Sequence, residues 1–349
     1  MPTIIDVAKK AGVAISTVSN IVNKKGNVSK QTTQKVNRVI EELEYEVNPV
    51  ARNMKSTHSN MIGIVITNFS RIFFAPVLRY CREIAEAQGY NLLCIESNDD
   101  FKLEQQYINM MKNNHFDAII LDTVAGLDDK EYFESLQRLT SRGKRIAVVC
   151  IERDLTGYGL DSVDVSNFAG SQKAMEHLTA CGCKRILHIT GPVNSWAAEW
   201  RARGYSDHIN RQSDAEHLIA IGDFSPKSGY DAVRKLLMNN LTPPFDAIFA
   251  SNDQMAVGAI KALQKHGISI PEQVKVMGFD DSFVASLIDP ALTSVHVSRS
   301  QIGMQAMRMV LERINDPDIP PSKYTVETQL VVRESTDPNV YIAPDFDNW

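Results

Sequence analysis

From Met61 to Gly278 short apolar runs alternate with longer amphipathic stretches, and this alternation confines the chain to an α/β fold with parallel sheets. Met61–Ile66 is a continuous apolar run, as in a strand buried on both faces. A helix from about Pro76 to Gln88 follows, then strand 91–96, helix 103–114 and strand 118–121. The pattern continues with helix 129–142, strand 145–151, helix 167–181, strand 185–190, helix 199–212 and strand 217–221. Helix 227–239, strand 247–250, helix 253–266 and strand 274–278 complete it. Breaks at 157–163 and 292–297 divide the body into two lobes. Lobe 1 is expected at about 61–160 and 292–322, lobe 2 at about 161–291 and 323–340.

The first sixty residues follow other rules. Thr3 and Asp6 have capping-box spacing, and Ile4, Val7, Ala8 and Ala11 repeat with helical period. Gly12 supplies the left-handed residue that ends this helix. A second helix spans 16–23, with Val18, Ile21 and Val22 facing inward and Ser16, Thr17, Ser19, Asn20 and Asn23 outward. Ser29 caps a third helix running to about Glu44. Helix, tight turn, short helix and longer support helix is a helix-turn-helix, and its polar front suits the major groove. A plain three-helix bundle is the alternative. Charge bears on the choice: residues 1–60 hold nine Lys/Arg against five Asp/Glu, while the remainder holds 28 against 37. A basic head on an acidic body fits a chain whose head alone approaches phosphates.

The run Ile5-Asp6-Val7-Ala8-Lys9-Lys10-Ala11-Gly12-Val13-Ala14-Ile15-Ser16-Thr17-Val18-Ser19 resembles the opening of the lactose-repressor (LacI/GalR) family. The resemblance continues through Val28-Ser29 and Thr32 to Asn48-Pro49-Val50-Ala51-Arg52. It recurs at 251–259, 276–281, 290–295 and 330–336, covering about residues 3–338. It implies a helix-turn-helix domain at 1–47, a hinge helix and linker at 48–60, and a two-lobed periplasmic-binding-protein-like domain at 61–340. It also implies a homodimeric, allosteric repressor that reads a pseudo-palindromic operator.

By this resemblance Ile15, Ser16 and Asn20 lie where bases are read. Thr3, Thr17, Ser19, Asn23, Asn27, Thr32 and Asn48 lie at phosphate or nearby contacts. Ala51 and Met54 belong to the hinge helix, with Met54 where the family inserts a Leu wedge into the minor groove. Asn20 replaces a frequent Arg and moves base preference from guanine toward adenine. Val47 replaces a usual Pro, and Ser166-Asn167 replaces a common Asp-Asn pair.

Ligand contacts in such sheets come from the C-terminal ends of strands. Phe73, Phe74 and Arg153 stand there in lobe 1, and Asn252 and Asp280 in lobe 2. The resemblance adds Arg201 and Phe224, with Trp196 just ahead of Arg201. Carboxylate, amide and guanidinium groups bind vicinal hydroxyls, and aromatic faces cover the C–H side of a sugar ring. A sugar or sugar derivative is therefore the expected effector. A purine or nucleoside corepressor, or a partner protein, is the other reading.

No Gly-x-Ser-x-Gly elbow, Walker loop or His-Glu-x-x-His motif occurs. Glu152, Arg153 and Asp280 fit ligand binding without chemistry, so no enzymatic activity and no cofactor are expected. Cys181 and Cys183 have no neighbouring Cys/His pair to complete a metal site. Five cysteines, no secretory signal and no run of about 18 apolar residues point to a cytoplasmic protein with reduced thiols and no membrane span. Residues 341–349 carry no readable pattern. If Met54 is the wedge, Met54→Gly weakens operator binding by roughly 1.4 kcal/mol or more, about tenfold. DNA titration checks this; effector binding stays unchanged, and unaltered operator affinity removes the assignment.

Overall fold

A computed structural model describes residues 2–22, 26, 28–45, 59–126, 128–212, 216–238 and 242–343. The chain divides into an N-terminal unit, residues 1–59, and a larger unit, residues 60–349.

The N-terminal unit contains helices α1 (Ile4–Ala11), α2 (Ile15–Val22) and α3 (Lys30–Glu42). The Asp6 carboxylate accepts from the Thr3 amide at 2.8 Å, and the Thr3 hydroxyl accepts from the Asp6 amide at 3.4 Å, closing the capping box. Gly12 ends α1 at φ 65°. Val7, Ala8, Ala11, Val18, Val36 and Val39 form one small core. The expected hinge helix at 48–56, with Asn48, Ala51 and Met54, lies outside the described residues, as do Asn23 and Asn27.

The larger unit contains two six-stranded sheets among the described residues. The first is built on β1 (Met61–Ile66), β2 (Asn91–Glu96), β3 (Ala118–Leu121), β6 (Ala147–Ile151), β7 (Asp161–Val165) and β13 (Lys323–Val326). Their order is β13-β7-β6-β3-β1-β2, all parallel. The second is built on β8 (Ile186–Thr190), β9 (Leu218–Ile221), β10 (Ala247–Ala250), β11 (Lys275–Asp280), β12 (Thr293–Val297) and β14 (Thr328–Val331). Their order is β14-β12-β11-β10-β8-β9, and only β14 runs antiparallel. The helices are α4 (Phe74–Ala87), α5 (Phe101–Asn113), α6 (Lys130–Gln137), α7 (Asn167–Ala180), α8 (Trp196–Asn210), α9 (Pro226–Met238), α10 (Asp253–Lys265), α11 (Val284–Leu287) and α12 (Arg299–Asn315).

The lobe boundaries differ from the expected ones. Residues 161–165 pair with β6 and belong to lobe 1, as does 323–326, whereas 293–297 pairs with β11 and belongs to lobe 2. The chain therefore crosses between sheets at Ser166, Ser298 and Glu327. β7 and β13 are short strands interrupted by polar residues, so an apolar-run reading passes over them. The expected helix 129–142 also ends early, at Gln137. Its last residues form a hairpin, β4 (Thr140–Ser141) and β5 (Lys144–Arg145). Arg142 and Gly143, at φ 51° and 74°, make the two-residue turn that matches strand twist.

Both sheets share one topological property. The chain leaves β1 for β2 on one side and β3 on the other; it leaves β8 for β9 on one side and β10 on the other. A crevice must open beyond the C-terminal ends of β1/β3 and of β8/β10.

Arg313 and Asp161 lock α12 to the start of β7. Two guanidinium nitrogens donate to the two Asp161 oxygens at 2.9 and 3.1 Å, and both side chains are buried. The Ser322 amide donates to the same carboxylate at 2.8 Å. Asp161→Ala leaves Arg313 buried and unpaired, so unfolding in urea shows a loss of about 3–5 kcal/mol.

Candidate effector cleft and nucleic-acid interface

On α2 the apolar back packs through Val18, while Ile15, Ser16 and Asn20 are exposed. Ile15 is 43% exposed, unusual for a large aliphatic side chain with a core at hand. Thr17 and Ser19 are half-buried beside them. Thr3 and Thr32 sit at the N-termini of α1 and α3, and their hydroxyls serve local structure. Thr3 Oγ1 contacts Asp6 at 2.7 Å and Thr32 Oγ1 contacts Ser29 Oγ at 2.8 Å. These helix ends present amide donors of the kind that bind phosphates.

In the larger unit a cavity of about 230 Å³ opens between the lobes, where the two switch points face each other. Phe73, Phe74, Arg153, Trp196, Arg201, Phe224, Asn252 and Asp280, all eight residues picked from sequence, line it. Thr67, Arg71, Asp99, Asp122 and Glu152 line it too and were not among those eight. Each follows the end of a lobe 1 strand, the position that the switch-point rule singles out once strand order is known.

Lobe 1 contributes a chain of polar contacts. The Thr67 hydroxyl donates to Asp122 at 2.7 Å, and Arg71 donates to the Thr67 hydroxyl at 2.6 Å and to Asp99 at 2.6 Å. Burial raises Asp122 to about 6, opposed by Thr67 and Arg71. Glu152 is equally buried, and burial raises it to about 8 despite the attraction of Arg201. Its Oε1 has no hydrogen-bond partner. At neutral pH Glu152 is thus mainly a neutral acid that can donate as well as accept.

Arg153 donates to the carbonyls of Ala125 and Gly126 at 2.6 and 3.1 Å. Its guanidinium lies 4.7 Å from the Phe133 ring and 5.2 Å from the Trp196 ring.

Lobe 2 is organised by Arg201. Its Nε donates to Asn167 at 2.8 Å, its Nη1 to the Ser251 carbonyl at 2.5 Å, and its plane stacks on Phe279 at 3.8 Å. Asp280 Oδ1 lies 3.2 Å from Nη1 without hydrogen-bond alignment. Burial raises Asp280 while Arg201 and Arg299 pull it down. Asn167, the retained Asn of the Asp-Asn pair, therefore supports Arg201 from the N-terminus of α7. Asn252 is partly committed to structure: its carbonyl caps α10 through the Met255 amide at 2.9 Å, and its amide donates to the Phe224 carbonyl at 3.0 Å. One N–H remains for a ligand.

Four cleft residues, Asp99, Glu152, Phe224 and Asp280, have φ of 58°, 62°, 69° and 99°. Left-handed non-glycine residues cost on the order of 1–3 kcal/mol each and concentrate at ligand clamps. Phe224 also needs Gly191, where a Cβ would come within 2.3 Å of its ring.

The cleft's cations all have partners, although the buried Arg153 Nε has none. Arg71 meets Asp99, Arg201 meets Asp280, and Arg153 meets two carbonyls. No group of three or more His, Cys, Asp or Glu able to hold a metal occurs among the described residues.

The chain is 34% identical over 336 residues to the ribose operon repressor of Halalkalibacterium halodurans, covering 96% of this chain and 97% of that one. It belongs to the LacI family. It is 31% identical to the transcriptional repressor PurR of Haemophilus influenzae, covering 96% and 98%. Residues 3–48 match the model for bacterial regulatory proteins of the lacI family, and 175–336 match a periplasmic binding protein-like domain. A solved CelR–cellobiose complex is similar over 96% of this chain and all of that one, with TM-score 0.69 and 28% identity. The fold also matches the Lac repressor dimer bound to operator, with TM-score 0.84, 24% identity, and coverage of 96% and 99%. This LacI-family chain is a DNA-binding transcriptional regulator with an effector-binding domain, not an enzyme.

Glu152 makes the stability of the sensor unit depend on pH. Its ordinary value is 4.5 and its folded value about 8, so the folded chain holds the proton longer. The unfolding free energy therefore falls as pH rises from about 4.5 to about 8. Glu152→Gln flattens this part of the curve in denaturant titrations across that range.

Proposed function

We propose that this regulator is a homodimeric, cytoplasmic repressor of carbohydrate-utilisation genes, controlled by an uncharged monosaccharide held between its lobes. The observation that carries the ligand class is the composition of the cleft. Aromatic faces, Phe73, Phe224 and Trp196, stand beside four carboxyl groups, Asp99, Asp122, Glu152 and Asp280, which outnumber the three guanidinium groups, although the buried Arg153 Nε has no hydrogen-bond partner. Stacking surface with oriented acceptors suits a neutral polyol, and carboxyl groups in excess of guanidinium groups disfavour a phosphosugar. The cavity, at 230 Å³, is below the roughly 300 Å³ where drug-sized sites begin, which favours one sugar ring. The ribose-repressor relative supports this reading, and the complex with cellobiose, a disaccharide, supports a sugar as the ligand class. The PurR relatives favour a purine instead.

Control runs through the lobe angle. Gln254 at the start of α10 donates to the Ser70 carbonyl and accepts from the Ile72 amide, both at 3.1 Å. Arg71 caps the Phe224 ring at 5.0 Å and Arg153 meets Trp196. Each contact joins lobe 1 to lobe 2 at the cleft's rim, so a ligand that repacks them shifts the balance of lobe arrangements.

The dimer face we assign is α4 with the free edge of β2, where Ala75, Leu78, Leu92 and Cys94 line an open groove. Helix α10 offers less surface, since it is mostly buried under α9. A Cβ at Gly258 would sit 1.8 Å from the Pro226 carbonyl, leaving chiefly Lys261, Gln264 and Lys265 exposed.

Thermal melting of the full chain against monosaccharides, sugar phosphates, nucleosides and purines tests the reading. A monosaccharide raises Tm, by an amount equivalent to about 2.7 kcal/mol at a hundredfold excess over its Kd. In Asp280→Ala that rise disappears while operator binding persists. A rise with purines alone replaces the sugar by a purine.

A further inference from the structure

A second cavity, about 290 Å³, lies between the lobes apart from the effector cleft. Its walls come from α4 and the start of α12 in lobe 1, and from the segment after β11, β12 and Arg333 in lobe 2. Its chemistry is the reverse of the cleft's. Arg79, Arg299 and Arg333 line it together with His296, and Asp281 is its single carboxylate. That carboxylate is held by Arg333 at 2.7 Å and His296 at 3.0 Å. Arg79 Nε lies 3.9 Å from Glu83, outside the cavity lining. Ser282, Ser286, Ser298 and Ser300 add hydroxyl groups.

Two further observations point to an anion. Arg333 is 7% exposed, and its buried Nε has no hydrogen-bond partner. An unpaired buried guanidinium N–H is costly and calls for an acceptor. The 17-residue helix α12 also begins here, and Ser298 satisfies only the Gln301 amide among its first-turn donors. We propose that this cavity binds a phosphate group, free or carried by a small metabolite. Guanidinium forks, hydroxyls and helix-end amides are the donor set that phosphate oxygens take.

Occupancy has a direct route to the cleft. Arg299 donates to the carbonyls of Asp280 and Asp281, the second at 3.0 Å. Asp280 turns its side chain into the cleft, and Asp281 lines the second cavity. A phosphate bridging α12 and the 281–286 segment thus fixes the lobes beside the strand end that carries Asp280.

The test is calorimetric titration of the full chain with inorganic phosphate and with glycerol 3-phosphate, at ionic strength held constant with sodium chloride. Saturable binding, one site per chain, is expected with Kd of about 1 mM or tighter. Arg79→Gln weakens it about tenfold or more, the scale of one lost charge-assisted hydrogen bond. Ser300→Glu does the same while suiting a helix N-terminus, so it keeps the fold. Trp196→Ala, in the cleft, leaves it unchanged. Equal affinity for both probes identifies free phosphate as sufficient; tighter binding of the ester identifies a metabolite. Non-saturable heats, wild-type affinity in both charge variants, or loss in Trp196→Ala would overturn the proposal.

Discussion

The chain passes three times between the two sheets, at Ser166, Ser298 and Glu327, and everything the sensor unit does depends on that constraint. Three short crossings permit the lobes to pivot and resist their sliding apart. Each lobe brings a topological switch point to the same gap, so the strand ends of both sheets face one cavity. The Asp281–Arg333–His296 cluster holds the chain near the crossing at Ser298, and the bidentate Arg313–Asp161 pair locks lobe 1 at the far end of β7. Rigid anchors beside a pivot confine motion to the pivot.

Charge separates the two interlobe cavities. In the effector cleft four carboxyl groups face three guanidinium groups, Arg153 keeps a buried Nε without an acceptor, and burial raises Glu152 to about 8. The result is a nearly neutral site with oriented donors and acceptors, suited to hydroxyls. In the second cavity cations exceed anions, and a buried guanidinium nitrogen is left without an acceptor. Arg299 stands between them, reaching the carbonyls of Asp280 and Asp281. One short peptide segment therefore touches both sites.

Much of this was legible in the sequence, for identifiable reasons. Capping boxes, the Gly12 stop and apolar period are local signals, so the helix-turn-helix and most elements of the body could be placed. The ends of apolar strands supplied Phe73, Phe74, Arg153, Asn252 and Asp280, and the family register added Arg201 and Phe224, with Trp196 beside them. The boundary strands β7 and β13 were not legible, because each is short, polar-interrupted and defined by its pairing. Asp99 and Asp122 were passed over for a similar reason: strand order, a non-local property, makes their strand ends neighbours. The left-handed backbone at Glu152 and Phe224 leaves no compositional trace. Asn252, placed at a strand end from the sequence, both caps α10 and lines the cleft.

The central claim is that ligand in the cleft and operator on the helix-turn-helix bias one equilibrium. Linkage makes this testable through reciprocity. Operator affinity is measured with and without the monosaccharide that binds, and sugar affinity is measured with and without operator duplex. The account predicts that the two ratios are equal and differ from one, with a factor of about 5–150. Ratios of one in both directions, with sugar and operator each bound tightly, would contradict it.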